Sequence, residues 1–123
     1  PPPALPRKPH EMLANRGELN GRRLLSPRSV ELLSSNQVGE MFVGQLGRPK
    51  GMGFGVPVEV VQDSARAGTF RASGSFGWGG GFGTHFWVDP KEGLIAILMT
   101  QGPNQRMHTR TLFRKQVYGA LGN

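Results

Sequence analysis

The sequence lacks cysteine altogether, and its three histidines lie far apart at positions 10, 85 and 108. The absence of cysteine excludes a disulfide framework, a thiolate nucleophile and a cysteine-ligated zinc site, and the scattered histidines form no metal-ligand motif. The glycines form neither a Gly-x-Gly-x-x-Gly nor a Gly-Lys pair, which excludes nucleotide binding through either motif. We therefore expect no metal and no cofactor.

Long hydrophobic runs are also missing. The longest run, Leu94 to Met99, has six residues, whereas a helix across a bilayer needs about 20. We therefore expect no membrane association and a soluble chain, for which a cytoplasmic location is favoured although no residue fixes the compartment. The first residue is Pro1 rather than methionine, which points to a processed product or a fragment.

Glycine and positive charge are abundant. The 123 residues include 19 glycines and carry a formal net charge of +7. The charge is uneven, because residues 1–50 and 100–123 are basic whereas residues 51–99 are nearly neutral. A basic balance is typical of proteins that bind nucleic acid or an acidic partner. The glycine-rich middle of the chain is not where that charge lies.

The first third of the chain contains clear local signals. Five prolines predict an extended arm over residues 1–9, followed by a single domain over residues 10–123. Residues 10–16 are predicted to form a short helix, and the Asn20-Gly21 pair predicts a hairpin. Ser26 and Pro27 are typical of a helix start.

The remainder alternates between strand and turn signals. Apolar residues at every second position predict one strand over residues 52–60. Its bare glycine face would let another backbone or a ligand approach closely. Further strands are predicted over 69–72, 82–89 and 94–100, the last one buried on both faces, and a helix over 104–121. The sum is an α+β fold, with an antiparallel sheet of three to five strands between N-terminal and C-terminal helices.

Two residues are weak catalytic candidates. Ser75 lies in Ser-Gly-Ser-Phe-Gly, which nearly matches a nucleophile elbow but lacks the first glycine and a following helix. His85 has a side chain suited to general base catalysis, although its position favours a surface histidine on a strand. Asp89 is four residues away along that strand, about 13 Å, which is too far for a direct hydrogen bond. Glu59 and Asp63 are expected to be structural or solvated.

Aromatic residues among the glycines allow another interpretation. Single-stranded nucleic-acid binders combine stacking aromatic rings with a cationic groove. The aromatic segment itself has few basic residues, and ordinary core packing explains the rings equally well. Nucleic acid is therefore an unlikely partner. The residues concerned are Phe70, Arg71, Phe76, Trp78, Phe82, Phe86 and Trp87.

Several segments together resemble one family. The matching runs follow one another in the family's order, at residues 17–30, 51–55, 74–80, 86–90 and 95–101. On these residues the chain is similar to the C-terminal portion of serine hydrolases of the class C β-lactamase, penicillin-binding protein and family VIII esterase group. The resemblance implies hydrolase ancestry, bacterial origin, and a partial serine β-lactamase-like fold.

The resemblance also implies a substrate site. The family carries a motif on a strand beside the active site, and it corresponds here to Trp78-Gly79-Gly80. The resemblance implies that Trp78 forms one wall of the pocket and that Gly79 and Gly80 leave room for the substrate. It also implies that the backbone N–H of Gly81 completes an oxyanion hole. The substrate would be a small ester or amide.

The chain departs from the family in the residues that attack the substrate. Family members use a Ser-x-x-Lys motif and a Tyr-x-Asn motif. None of the four lysines has a serine three positions before it, and Tyr118, the only tyrosine, is followed by Ala120 two positions later. We expect weak hydrolysis near Trp78 or at an oligomer interface, or else a non-catalytic oligomerising or binding module. The expected partner is a second copy or a complementary N-terminal portion of the fold.

Overall fold

The computed structural model describes residues 8–44, 48–80 and 83–121. Gly81, the expected oxyanion donor, and Phe82 lie outside these residues, as does most of the predicted arm. Lys8 and Pro9 were assigned to that arm, but they belong to the first helix, α1 (Lys8–Ala14). None of the helices in the described ranges is long and apolar enough to cross a membrane.

The segment after α1 folds as its local signals predict. A hairpin joins β1 (Glu18–Leu19) to β2 (Arg22–Arg23), and Asn20 and Gly21 both have positive φ angles of 53° and 78°. Positive φ at both central residues is the geometry that an Asn-Gly turn favours. The helix α2 (Pro27–Leu33) follows, and the Ser26 hydroxyl accepts a hydrogen bond from the Ser29 N–H.

The main sheet has five antiparallel strands in chain order. They are β3 (Met52–Phe54), β4 (Glu59–Val61), β5 (Phe76–Gly79), β6 (His85–Asp89) and β7 (Leu94–Leu98). The predicted α+β architecture with an antiparallel sheet is confirmed. A one-turn helix, α3 (Ser64–Ala67), lies between β4 and β5.

The predicted single strand over residues 52–60 is wrong, because the chain reverses direction in the middle of that range. β3 and β4 pair with each other as the two arms of a hairpin, and the Gly55 N–H donates to the Val58 carbonyl at 2.7 Å across the turn. The close backbone approach is confirmed. A side chain at Gly55 would overlap the Leu33 carbonyl, and Leu33 accepts a hydrogen bond from the Val56 N–H.

The predicted strand over residues 69–72 is also wrong. Those residues form a loop, and the third strand of the sheet is β5, which pairs Gly77 with both Glu59 and Trp87. Two of the four residues in β5 are glycine, so propensity gives no strand signal there. Pairing with neighbours on both sides stabilises the extended backbone instead.

Each face of the sheet is covered by a helix. On one face Val58, Val60, Phe76 and Val88 form a buried cluster against α1. On the other face Trp87 packs edge to face with Phe113 of the helix α4 (Arg106–Ala120). The predicted C-terminal helix is therefore confirmed, and Ala120 and Leu121 at its end are exposed.

The last strand was expected to be buried on both faces, and this expectation is wrong. In β7 only Ala96 is buried, and the other four residues are half-buried. The reason is position, because β7 is the outermost strand of the sheet. Its continuous apolar run leaves Met99, just beyond it, largely exposed.

Candidate active site

The motif Trp78-Gly79-Gly80 lies at the end of β5, next to the start of β6. Trp78 pairs with Phe86 and Gly79 pairs with His85. The Gly80 N–H donates to the Thr84 carbonyl at 2.8 Å, which continues the pairing. The strand β5 therefore ends at Gly79, and one further hydrogen bond holds Gly80 beside Thr84.

Trp78 is held by aromatic and cationic neighbours but keeps an open face. Its ring meets Phe54 edge to face at 5.4 Å between centroids, and the guanidinium carbon of Arg48 lies 5.4 Å from its centroid. The residue is still 38% exposed. A large ring that is oriented yet accessible is suited to forming the wall of a binding pocket.

Gly79 lies directly against the side chain of Arg110. A Cβ atom at this position would lie 2.6 Å from the guanidinium carbon of Arg110. Arg110, from α4, donates to the carbonyls of Gly80 at 2.5 Å and Thr84 at 2.9 Å. The expectation from the resemblance was that substrate would occupy the space above this glycine. In this structure the Arg110 side chain occupies it.

Two cavities meet at the motif. The larger one, of about 600 Å³, lies between the sheet and α4, and the smaller one, of about 270 Å³, lies beside β7 and is mostly apolar. Four residues line both cavities, namely Trp78, Gly79, Gly80 and His85. The structure thus brings His85 together with the sequence-predicted substrate residues.

His85 is buried, which corrects the favoured interpretation of a surface histidine. It is only 5% exposed, and its ring lies 5.5 Å from that of Trp87. Burial, followed by the positive charges of Arg114, Arg71 and Arg110, lowers the pKa of His85 to about 3. A general base works best with a pKa near the operating pH. His85 in this state is therefore neutral at pH 7 and a weak base.

Ser75, the other catalytic candidate, has no exposed surface. Its backbone bridges two segments, since its N–H donates to Ala72 and its carbonyl accepts from the Val61 N–H. A nucleophile has to reach its substrate, and Ser75 lines neither cavity. The structure does not bring Ser75 together with His85 and Trp78 in a common cavity.

Sequence reasoning missed a buried polar network behind the site. The Tyr118 hydroxyl donates to a carboxylate oxygen of Asp89 at 2.7 Å and accepts from the indole N–H of Trp87 at 2.9 Å. The same carboxylate accepts from the backbone N–H groups of Ala72 and Glu92. Burial and the hydrogen bond to Asp89 raise the pKa of Tyr118. Tyr118, which does not fit the Tyr-x-Asn motif, is thus a structural tyrosine.

The carboxylate of Glu59 has a structural role, as expected. Glu59 pairs with Arg71 at 3.3 Å and with Arg48 at 3.5 Å. Asp63 likewise caps α3 through its side chain. Because Arg48 also lies over the ring of Phe42 at 4.5 Å, this ion pair ties the loop before β3 to the rim of the larger cavity.

Comparison with known proteins identifies the family. A family model described as beta-lactamase matches residues 9–118, which is most of the chain. Together with the sheet, the C-terminal helix and the ordered Trp78-Gly79-Gly80 segment, this match shows that the chain belongs to the beta-lactamase family. The resemblance drawn from the sequence is confirmed.

Curated relatives agree with this assignment. The chain is 34% identical over 97 residues to protein Rv1367c of Mycobacterium tuberculosis, which covers 73% of this chain and 24% of that protein. It is 41% identical over 58 residues to esterase EstB of Burkholderia gladioli, covering 47% of this chain and 15% of that protein. The chain therefore spans about a quarter or less of the length of these relatives.

Solved structures show the same fold. EstCE1, a hydrolase with promiscuous acyltransferase activity, matches with a TM-score of 0.72 and 27% identity, over 88% of this chain and 27% of that one. Simvastatin synthase LovD from Aspergillus terreus matches with a TM-score of 0.64 and 22% identity, over 90% of this chain and 32% of that one. The likeness to LovD shows the fold alone.

The geometry weakens the nucleic-acid alternative. Among the aromatic residues considered for stacking, Phe76 and Trp87 belong to the buried core. Phe70 and Trp78 remain accessible, and both line the larger cavity. Base stacking uses exposed rings, so burial removes Phe76 and Trp87 from the rings that could stack.

Proposed function

We propose that this chain supplies the sheet wall of an ester hydrolase active site, with Trp78-Gly79-Gly80 lining the substrate pocket. In this proposal the nucleophile and its base come from residues outside these 123. The single observation that carries it is the convergence of two cavities on the motif. EstB is an esterase and EstCE1 is a hydrolase, and the similarity to both supports the reaction class.

The apolar smaller cavity supports an acyl group as its occupant. It is lined by Phe86, Ile97, Leu98 and Met99 as well as by the motif. An acyl group bound in this cavity would lie beside Trp78. The backbone N–H of Gly81 remains the proposed oxyanion donor, on the family resemblance alone.

The exposed apolar surface supports the proposal that a complementary portion of the fold binds this chain. Phe70, Met99 and Met107 are each at least 60% exposed, and β7 has no further strand beside it among the described residues. Exposed apolar surface and a free strand edge favour association. A second copy of the chain would cover the same surface when the complementary portion is absent.

A chimera with EstB tests the proposed role. The segment of EstB that matches this chain is replaced by the corresponding residues of this chain, and hydrolysis of p-nitrophenyl esters is measured. We expect turnover, and we expect Trp78→Ala in the chimera to lower kcat/KM by about tenfold or more because one pocket wall is lost. The matched control is Leu24→Ala, an exposed apolar residue that lines neither cavity.

The chain on its own provides the second arm of this test. We expect it to hydrolyse these esters at no more than a trace rate and to show no serine labelled by a fluorophosphonate probe. Stoichiometric labelling of a serine in the isolated chain would overturn the proposal. A chimera that melts cooperatively yet lacks activity would do the same.

A further inference from the structure

The larger cavity is strongly basic, and this charge has no part in the proposed ester hydrolysis. Its lining includes six cationic side chains against one carboxylate, that of Glu59, among the described residues. We call this cavity the basic cleft. Its cationic side chains come from two loops and from α4, and they are Arg48, Arg71, Arg106, Arg110, Arg114 and Lys115.

The one carboxylate is already shared. Glu59 pairs with both Arg71 and Arg48. Arg110 and Arg114 stand one turn apart on α4, and no ion pair connects either of them to a carboxylate among the described residues. The positive charge along this side of the cleft is therefore not neutralised by the part of the protein that the structure describes.

Unsatisfied donors lie inside the basic cleft. Arg110 is only 9% exposed, and although its Nη2 atom binds two carbonyls, its Nε–H donates to no group in the described residues. The Nε–H of Arg114 is also buried and donates to no group in the described residues. An unmade hydrogen bond from a buried charged group is costly, so neither guanidinium group has all its donors satisfied by the described residues.

The cations also destabilise one another. Burial, and next the charge of Arg71, lower the pKa of Arg114 to about 10. A cluster of like charges in a partly dehydrated cavity creates a positive potential that attracts anions. The planar guanidinium group binds phosphate and carboxylate oxygens through paired N–H donors.

We propose that the basic cleft binds the phosphate group of a small phosphorylated molecule, with Arg114 and Arg110 as its main donors. The charges of Arg110 and Arg114, one turn apart on α4, favour a dianion over a single carboxylate. The volume of about 600 Å³ is in the range of small-molecule sites, about 300–1,000 Å³. Arg71 and Arg110 are buried at the bottom of the cleft, out of reach of a polynucleotide backbone that runs over the surface.

Thermal stability and calorimetric titration of the full chain test this site independently of any esterase activity. The probes are inorganic phosphate and phenyl phosphate, each compared with sodium chloride at equal ionic strength. We expect both phosphates, but not chloride, to raise the melting temperature in a saturable way. Arg114→Met should weaken phosphate binding by about tenfold or more, since a hydrogen-bonded charge is lost. The matched control Arg28→Met removes the same charge from the exposed surface of α2 and should change the Kd by less than about twofold.

A second variant keeps the test decisive if Arg114→Met does not fold. Lys115→Met alters an exposed residue at the rim of the basic cleft and should weaken phosphate binding by about threefold. Three results would overturn the proposal. They are a melting temperature that responds equally to phosphate and chloride, equal effects of the cleft and Arg28 variants, and binding of a single-stranded oligonucleotide that phosphate does not displace.

Discussion

Tyr118→Phe is expected to destabilise the chain strongly, although it removes a single oxygen atom. The hydroxyl donates to the fully buried carboxylate of Asp89 and accepts from the fully buried indole of Trp87. A hydrogen bond to a charged group contributes about 1.5–3 kcal/mol, and a buried donor left unpaired costs about 1–3 kcal/mol. We expect the free energy of unfolding to fall by about 3 kcal/mol, a large part of the roughly 5–15 kcal/mol typical of a domain.

Urea unfolding followed by tryptophan fluorescence and circular dichroism measures this loss. For a chain of this length the melting temperature should fall by about 12 °C, at roughly 4 °C per kcal/mol. Thr111→Ala is the control, because it removes a hydroxyl from the same helix whose hydrogen bond to Met107 is exposed, and it should cost less than about 0.5 kcal/mol. If Tyr118→Phe cost no more than this control, the network would not stabilise the fold as argued.

Three further predictions concern the site and the surface. Because the pKa of His85 is lowered to about 3 from 6.5, the unfolded chain takes up the proton first as the pH falls. Protonation of His85 therefore does not reduce the free energy of unfolding above about pH 6.5. Below that pH it lowers the free energy of unfolding by about 1.4 kcal/mol per pH unit, down to about pH 3. When the pH is lowered from 7 to 5, the free energy of unfolding in urea should fall by about 2 kcal/mol more in the native chain than in His85→Gln. Equal losses in the two proteins would contradict the argument. Gly79→Ala should displace the Arg110 guanidinium and lower the free energy of unfolding by about 1–2 kcal/mol; in an Arg110→Met background the cost should shrink, and an unchanged cost would exclude this contact as the cause. The isolated chain should self-associate at tens of micromolar in sedimentation or light scattering, and a monodisperse monomer would count against the proposed covering of its apolar surface.

Local signals predicted the parts of the fold that depend on near neighbours. Ser26 caps α2, the Asn20-Gly21 pair turns the small hairpin, and Asp89 accepts from Glu92 in the turn before β7. Each of these features involves residues within three positions of one another. Their physical causes, namely a capping oxygen and a backbone that tolerates positive φ, are properties of the residues themselves.

Pairing between strands explains where the strand predictions were wrong. Apolar alternation over residues 52–60 is the same whether the residues form one strand or two arms of a hairpin, so the sequence could not reveal the reversal at Gly55. Strand β5, with two glycines, exists because β4 and β6 supply hydrogen bonds on both sides. Such pairing depends on partners far along the chain.

The sequence alone determined the family, the α+β class and the place of the Trp78-Gly79-Gly80 motif, because these follow from residue types in a fixed order. Only the tertiary structure decided the chemistry around that motif. In the folded chain His85 is buried and its pKa is lowered, and Ser75 is buried as well. The side chain of Arg110 lies against Gly79. The tertiary structure also gathered cations from distant segments into the basic cleft. Burial and electrostatic environment depend on what packs around a side chain, and no single segment of sequence contains that information.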